Sequence, residues 1–286
     1  MRRDEILVTA DELRQKLAEP SLLILDCRFS LADPKAGSKA FAEGHVPGAG
    51  FADLENDLSA ELTPDSGRHP LPTPSEAAGA FRRLGVSNDS SVVVYDDSSG
   101  AFASRAWWML RWLGHTDVRL LDGGLAAWKR YGLPLEAGDA SAEEGDFAGN
   151  ARADLIIGSE ALGKLDMTST TLCDAREPDR FLGKAEPIDT IAGHIPGARN
   201  TPFSRALDAN GRFLETEQLR DLWVEYLDGD LRREWTAMCG SGVTACHLAV
   251  SSLLAGASEP RLYAGSWSEW IRNPARPVAG LRSTEE

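Results

Sequence analysis

The sequence predicts an α/β protein built from two tandem domains, each with a mostly parallel sheet that helices cover on both faces. The first observation behind this prediction is an internal duplication, because four blocks recur in the same order. The paired blocks are LLILDCR (22–28) and TLCDAR (171–176), EGHVPGAG (43–50) and AGHIPGAR (192–199), VVVYDDSSGAFASRAWWMLRWLG (92–114) and WTAMCGSGVTACHLAVSSLLAG (235–256), and LLDGGLAAW (120–128) and LYAGSWSEW (262–270). Their offsets stay between 142 and 149 residues, which indicates a tandem duplication.

The second observation is the order of elements within each half. Each half opens with a helix signal and a short apolar strand, and a loop containing Gly-His-x-Pro-Gly follows. A strand then turns directly into a helix, and a last strand leads through a glycine-rich turn into a helix that carries tryptophan. Short strands that alternate with helices are typical of parallel sheets.

The halves are joined by a stretch with few large apolar side chains. Residues 134–154 are rich in Ala, Gly, Asp and Glu, which predicts an exposed linker and a boundary near residues 140–150. We therefore expect a first domain over 1–140, a linker over 141–153 and a second domain over 154–286.

Composition and charge narrow the class of protein. Of the 286 residues, 42% are hydrophobic and 26% are charged, as in a soluble globular protein. The formal net charge of −14 disfavours nucleic acid and anionic membranes as partners. No apolar run approaches the roughly 20 residues of a membrane span, and no apolar core follows the N-terminal arginines, so we expect no membrane segment and no signal peptide.

The four cysteines show neither Cys-x-x-Cys pairs nor zinc spacing. Without a secretory signal, we expect reduced thiols in a cytoplasmic protein, with no metal. The duplication aligns Cys173 with Leu25, which predicts a core position, and Cys246 falls within a predicted helix. Cys27 follows a strand end and is assigned no role.

A reactive residue is expected in the stretch MCGSGVTAC (238–246). It follows a short buried strand and opens an apolar helix, so Cys239 should lie on a strand-to-helix turn facing helix N–H groups. Such a place stabilises an anion, and a thiolate is an anion. The duplication puts Asp96 opposite Cys239, so only the second half can perform thiolate chemistry, and the first half acts as a partner that shapes the site.

Two other interpretations of this turn are disfavoured. Gly240, Gly242 and Ala245 match the dinucleotide pattern G-x-G-x-x-A, but that motif belongs at the first strand of its fold, and only some 40 residues remain here. A cysteine phosphatase needs arginine six positions after the cysteine, where Ala245 stands, so phosphate and arsenate chemistry are also disfavoured. A neutral cradle of backbone N–H groups fits chemistry on sulfur itself, through a persulfide on the cysteine.

These motifs resemble the rhodanese family, and over essentially the whole chain they are similar to its tandem-domain sulfurtransferases. The resemblance implies an inactive first domain, a catalytic second domain with a persulfide on Cys239, and no organic cofactor. Within the family, the loop Cys-Gly-Ser-Gly-Val-Thr resembles that of enzymes acting on 3-mercaptopyruvate, whereas thiosulfate enzymes carry two basic residues after the cysteine. The resemblance thus implies that Gly240, Gly242, Val243 and Thr244 line the donor site.

The resemblance also implies further site residues. Arg180 matches an arginine that grips the donor carboxylate, but Ile188 stands near the place where a second arginine is common. A serine–histidine–acid relay is implied for Ser241 and His69, with Glu55 as the acid, slightly better aligned than Asp53. Such a relay can deliver the proton that a departing pyruvate enolate needs.

We therefore expect a sulfurtransferase that moves sulfur from 3-mercaptopyruvate to a thiol or cyanide. Thiosulfate is the alternative donor, and a non-catalytic persulfide carrier is the alternative class of protein. The partners expected are a small anionic sulfur donor and a thiol acceptor such as thioredoxin or a low-molecular-weight thiol.

Overall fold

The chain forms two compact units. The computed structural model describes residues 1–139 and 142–280. The first unit comprises Met1–Ala60, Leu71–Ala153 and Leu207–Leu214. The second comprises Glu61–Pro70, Asp154–Ala206 and Glu215–Glu286, of which the residues up to 280 are described.

The first unit is built on a five-stranded parallel sheet in the order β1-β5-β4-β2-β3. Its strands are β1 (Leu7–Val8), β2 (Leu22–Asp26), β3 (Ala49–Phe51), β4 (Ser91–Tyr95) and β5 (Val118–Leu121). Its helices are α1 (Arg3–Ile6), α2 (Ala10–Lys16), α3 (Ala36–Glu43), α4 (Pro74–Arg83), α5 (Ala103–Trp112) and α6 (Gly124–Arg130). Thr9 and Thr73 begin α2 and α4, because each side chain accepts a hydrogen bond from an N–H of the first helical turn.

The second unit repeats this topology with a parallel sheet in the order β7-β6-β8-β9. Its strands are β6 (Thr171–Asp174), β7 (Arg199–Asn200), β8 (Trp235–Met238) and β9 (Arg261–Leu262). Its helices are α7 (Ser159–Leu162), α8 (Pro178–Phe181), α9 (Thr216–Tyr226), α10 (Thr244–Leu254) and α11 (Ser266–Trp270), and 3₁₀ turns lie at Ala153–Leu155 and Phe203–Ala206. Ile156 forms a parallel bridge with Leu262, in the place that β1 takes beside β5. The predicted α/β class, with two repeated parallel sheets, is confirmed.

The strands β2 and β6 each end at an aspartate that binds an arginine two residues later in the chain. Arg176 donates from Nε and Nη2 to the Asp174 carboxylate, and its Nη2 also donates to the Gly193 carbonyl at 2.8 Å. Arg28 binds Asp26 and the Gly44 carbonyl in the same way. A planar guanidinium suits this fork, and it fixes the loop that follows each strand.

The histidines of the Gly-His-x-Pro-Gly loops pack against phenylalanine rings. His45 stacks on Phe41 and His194 stacks on Phe181, with ring centroids 3.8 and 3.9 Å apart. Each Nδ1 lies 2.8 Å from the carbonyl oxygen of the same phenylalanine. Because the same contacts occur in both halves, they indicate a structural role for these histidines.

The predicted linker is exposed over most of its described residues, but it is anchored. Phe147 is buried against Phe81, and its N–H donates to the Val86 carbonyl at 3.2 Å. The composition of the stretch does not reveal this single aromatic anchor. The expected boundary at residues 140 and 141 lies outside the described residues.

The remaining cysteines are placed as the alignment predicts. Cys173 lies in β6 and Cys246 in α10, both in the core, and burial raises the pKa of Cys173 to about 12. None of the four cysteines, all within the described ranges, forms a disulfide. Over residues 1–139 and 142–280, no helix has the length and apolar character needed to cross a bilayer. In the same ranges, no group of three or more His, Cys, Asp or Glu side chains forms a candidate metal site.

Candidate active site

Cys239 lies between β8 and α10, and the first two residues of α11 hold its main chain. Its N–H donates to Ser266 Oγ at 3.0 Å, and its carbonyl accepts from the Trp267 N–H at 3.0 Å. The residue is only 2% exposed. The sulfur is therefore held at the carboxyl end of a parallel strand, where open α/β sheets bind their ligands.

A backbone N–H points at the sulfur. Gly242 donates its N–H to Cys239 Sγ at 3.1 Å. The φ of Gly242 is +77°, and a β-carbon there would overlap the carbonyl oxygen of Ala264, so only glycine fits this turn. This N–H and the amino end of the eleven-residue α10 form a surrounding of the kind that binds anions in proteins.

In the first unit, the carboxylate of Asp96 fills the equivalent turn. Tyr95 and Met238 pair with Asp26 and Asp174 in the same register, so Asp96 and Cys239 are the first residues after equivalent strands. The Asp96 oxygens accept hydrogen bonds of 2.8 Å from the N–H groups of Ser98, Gly100, Phe102 and Ala103. Burial raises the pKa of Asp96, and these four donors act against that rise. The first unit thus keeps an anion cradle but occupies it with its own side chain.

Ser241 and His69 form the predicted pair. Ser241 Oγ lies 2.8 Å from His69 Nδ1, and both residues are buried. His69 lies in the Glu61–Pro70 segment, which groups with the second unit. A hydroxyl and an imidazole at this distance can pass a proton between them, with the direction set by the tautomer.

Arg180 lies in α8, where two carboxylates hold its guanidinium group. Its Nε and Nη2 donate to Glu186 at 3.0 and 2.8 Å, and Nη2 also donates to Asp189 at 3.0 Å. Burial raises the pKa of Glu186, but the bonds from Arg180 and from two backbone N–H groups outweigh it, so the pKa lies below its ordinary value. A β-carbon on Gly240 would lie 3.4 and 3.5 Å from Nη1 and Nη2 of Arg180. The cation therefore reaches the loop of the candidate nucleophile.

Sequence reasoning missed Ser266. Its φ is +52°, a conformation that residues other than glycine seldom adopt, and the duplicate position is Gly124 with φ +56°. Its hydroxyl accepts from the Cys239 N–H and donates to the Tyr263 carbonyl at 2.9 Å. The signal was present in the aligned repeats, since a serine stands where the other half has glycine.

Sequence reasoning also missed Arg68 and Asp189. Arg68 binds Asp189, and a β-carbon on Gly240 would lie 3.0 Å from Arg68 Nη2. Burial raises the pKa of Asp189, and the neighbouring arginines act against that rise. No local pattern marks this pair, because 121 residues separate Arg68 from Asp189.

The other predicted residues have these places. Gly240 and Val243 are buried in the loop, and Thr244 is half-buried at the first position of α10. Ile188 is 40% exposed, and its N–H donates to Glu186. Glu55 is exposed in the first unit, where its N–H donates to the Asp53 carboxylate, and its place in a relay stays a prediction.

Known proteins share this architecture. The family described as rhodanese-like domain matches residues 9–131 and 159–273. A Pseudomonas aeruginosa protein named "Probable 3-mercaptopyruvate sulfurtransferase" is 53% identical, over 96% of this chain and 97% of its own. The thiosulfate sulfurtransferase of Gallus gallus is 37% identical, over 87% of this chain and 86% of its own.

A solved structure agrees with these relatives. The crystal structure of SseA from Escherichia coli, described as a 3-mercaptopyruvate sulfotransferase with the rhodanese fold, is 32% identical. It covers 92% of this chain and 98% of its own, with a TM-score of 0.80. The chain therefore belongs to the rhodanese family and is a sulfurtransferase with two rhodanese-like domains.

Proposed function

We propose that the protein transfers sulfur from 3-mercaptopyruvate to a thiol or cyanide acceptor through a persulfide on Cys239. The observation that carries this proposal is the hydrogen bond from Gly242 N–H to Cys239 Sγ, in a loop that contains no charged side chain. Arg180 lies beside that loop, and Ser241 within it pairs with His69. They can supply the cation and the proton that an α-keto acid donor requires.

In the first half-reaction, the Cys239 thiolate attacks the sulfur of 3-mercaptopyruvate. The new S–S bond forms as the C–S bond breaks, and the C–S electron pair leaves as the enolate of pyruvate. The enolate takes up a proton to become pyruvate, and Ser241 with His69 relays that proton. Backbone N–H groups of residues 240–244 hold the charge on sulfur, and Arg180 orients the donor carboxylate.

In the second half-reaction, an acceptor thiolate or cyanide attacks the outer sulfur of the persulfide. The S–S bond breaks, the acceptor keeps the outer sulfur, and Cys239 leaves as the thiolate that began the cycle. A thiol acceptor becomes a persulfide, and cyanide becomes thiocyanate. Thioredoxin or a low-molecular-weight thiol is the proposed acceptor, and the proposed location is the cytoplasm.

The donor proposal is tested by comparing kcat/KM between two donors, 3-mercaptopyruvate and thiosulfate, with one thiol acceptor. We expect a preference of about tenfold or more for 3-mercaptopyruvate, which corresponds to about 1.4 kcal/mol in transition-state binding. The Ser241–His69 pair is the reason, because it can deliver the proton that a departing pyruvate enolate needs and that the sulfite leaving from thiosulfate does not need. A preference for thiosulfate contradicts the donor assignment, and a single stoichiometric transfer without turnover indicates a carrier.

The relay is tested by Ser241→Ala and His69→Gln with both donors. We expect kcat with the mercaptopyruvate donor to fall by about 10²-fold, the lower range for general acid catalysis. Thiosulfate turnover should change far less, because sulfite leaves without any proton on carbon. Ser252→Ala is a matched control, since Ser252 is also buried and its hydroxyl donates to the Ala249 carbonyl of the same helix. Equal losses with both donors would contradict a relay.

A further inference from the structure

Ser266 combines a strained main chain with two hydrogen bonds of its hydroxyl group. Its φ of +52° lies in the left-handed region, which is unfavourable for a residue with a β-carbon. The hydroxyl accepts from the N–H of Cys239 at 3.0 Å and donates to the carbonyl of Tyr263 at 2.9 Å. Ser266 is fully buried, so neither bond is exposed to water. The side chain therefore makes contacts that offset an unfavourable main-chain conformation.

The first unit builds the same turn without this hydroxyl group. Gly124 stands at the position equivalent to Ser266, and its φ is +56°. The next N–H, that of Leu125, donates to the Asp96 carbonyl at 2.8 Å, as the N–H of Trp267 does to the carbonyl of the candidate nucleophile at 3.0 Å. Both units thus keep the main-chain bond, whereas the side-chain bond belongs to the unit that carries the cysteine.

Glycine meets the steric demands of this turn in the first unit. A β-carbon on Gly124 would overlap the carbonyl oxygen of Asp96, so no side chain fits there. The second unit has a serine at the same position and leaves room for its β-carbon. Because glycine adopts a positive φ without strain, folding of the turn does not require the serine. These differences indicate a role for the hydroxyl group that is specific to the second unit.

We infer that Ser266 is a positioning residue for Cys239, whose hydroxyl group fixes the main chain of the nucleophile and thereby the direction of its sulfur. This role rests on the proposed function, in which Cys239 carries the persulfide. Ser266 holds the N–H of Cys239 and Trp267 holds its carbonyl, so the peptide planes on both sides of the cysteine are fixed. The 3.1 Å contact of Sγ with the Gly242 N–H depends on that orientation. A displacement of about 1 Å at a reacting atom can cost about 10²-fold in rate.

The first test is turnover by Ser266→Gly with 3-mercaptopyruvate and with thiosulfate. We expect kcat and kcat/KM to fall together by about tenfold or more with both donors, because both donors react at the same sulfur. The KM should stay within about twofold, since the hydroxyl bonds to the protein and not to the donor. An equal loss with both donors distinguishes Ser266 from Ser241, whose loss should affect mainly the mercaptopyruvate donor. A kcat within about twofold of the unmodified protein overturns the inference.

Thermal unfolding separates positioning from a merely structural role. Ser266→Gly loses two hydrogen bonds but relieves the strain, so we expect its Tm within about 3 °C of that of the unmodified protein. Ser266→Ala keeps the strain and loses the bonds, so its Tm should fall further while its kcat falls similarly. A Tm for Ser266→Gly that is lower by more than about 10 °C means that the fold requires the serine, and it overturns the inference.

Ser251→Ala is the matched control for a lost buried hydroxyl group. Ser251 is fully buried, accepts from Trp223 Nε1 at 3.2 Å and donates to the Leu248 carbonyl at 3.1 Å. We expect this variant to lower the Tm by a few degrees and to leave kcat within about twofold. If Ser251→Ala lowers kcat as much as Ser266→Gly does, general loss of buried hydrogen bonds explains both results and the inference fails.

The last test needs no turnover. Protein made with isotope-labelled cysteine gives an amide signal for each of the four cysteines, and Cys→Ser variants assign them. Ser266→Gly should speed solvent exchange of the Cys239 amide hydrogen about tenfold or more, and that of Cys173, in β6, should stay within about twofold. If the unmodified protein turns over neither donor but this exchange responds, the proposed function fails and the contact that holds Cys239 stands. If turnover requires Cys239 but Ser266→Gly changes neither kcat nor exchange, the inference fails alone.

Discussion

Replacing Cys239 with serine should abolish sulfur transfer, lowering kcat/KM by at least about four orders of magnitude, or more than about 5 kcal/mol. A serine hydroxyl is scarcely ionised at neutral pH and cannot form a persulfide, so the double-displacement route is lost. The measurement is steady-state turnover, together with the mass of the protein after donor treatment. The unmodified protein should gain one sulfur atom, and Cys239→Ser should gain none.

The fold should survive this substitution, because the turn is held by main-chain groups. The N–H of Cys239 bonds to Ser266, its carbonyl bonds to Trp267, and neither contact uses the sulfur. Cys246→Ser is the matched control. Its thiol donates to the Gly242 carbonyl at 3.4 Å, and a serine hydroxyl can make the same contact. We expect the control to keep activity within about threefold, as for an isosteric change at a satisfied site.

Residual turnover by Cys239→Ser would place the nucleophile elsewhere. Cys173 is a poor substitute, because its pKa of about 12 leaves it a neutral thiol at pH 7. Cys27 lies in the first unit, and burial raises its pKa well above the ordinary value. These two thiols are therefore poor substitutes, and turnover by the Cys239→Ser variant decides whether Cys239 is the nucleophile.

The sequence predicted where Asp96 and Cys239 lie, because each directly follows a strand that recurs in both halves. The alignment of Asp96 with Cys239 needed only the duplicated blocks, and the shared register of β4 and β8 reproduces it. Ser241 and His69 came from the resemblance, and the 2.8 Å contact brings them together. Local patterns succeed here because a strand followed by a glycine-rich turn has few alternative structures.

The sequence was uninformative where side chains from distant segments meet. The pairing of Arg68 with Asp189 depends on how the Glu61–Pro70 segment folds onto α11, and no periodicity encodes that. Phe147 was hidden for a different reason, because a single aromatic residue barely changes the composition of an acidic, alanine-rich stretch. Local sequence patterns do not predict long-range ion pairs or single buried aromatic residues, since tertiary contacts alone stabilise them.

Removing the Asp96 carboxylate should destabilise the protein severely. Asp96→Ala leaves four N–H groups without their acceptor, two of them buried and two part-buried, and each unsatisfied buried donor costs about 1–3 kcal/mol. Some of that cost is recovered if water enters the space, so we expect a loss of about 4 kcal/mol in the free energy of unfolding. Denaturant unfolding followed by tryptophan fluorescence measures it, because Trp107 and Trp108 lie in α5, directly after this turn.

The variants Asp96→Asn and Asp97→Asn distinguish the loss of hydrogen-bond acceptors in the cradle from the loss of one negative charge. The asparagine at 96 keeps one acceptor oxygen but turns an NH₂ group toward two N–H donors, so we expect a loss of about 3 kcal/mol. Asp97 is exposed beside the same turn, and its substitution should change stability by less than about 0.5 kcal/mol. Equal effects at both positions would contradict the cradle. A large loss confined to position 96 means that the first unit uses its anion cradle for folding.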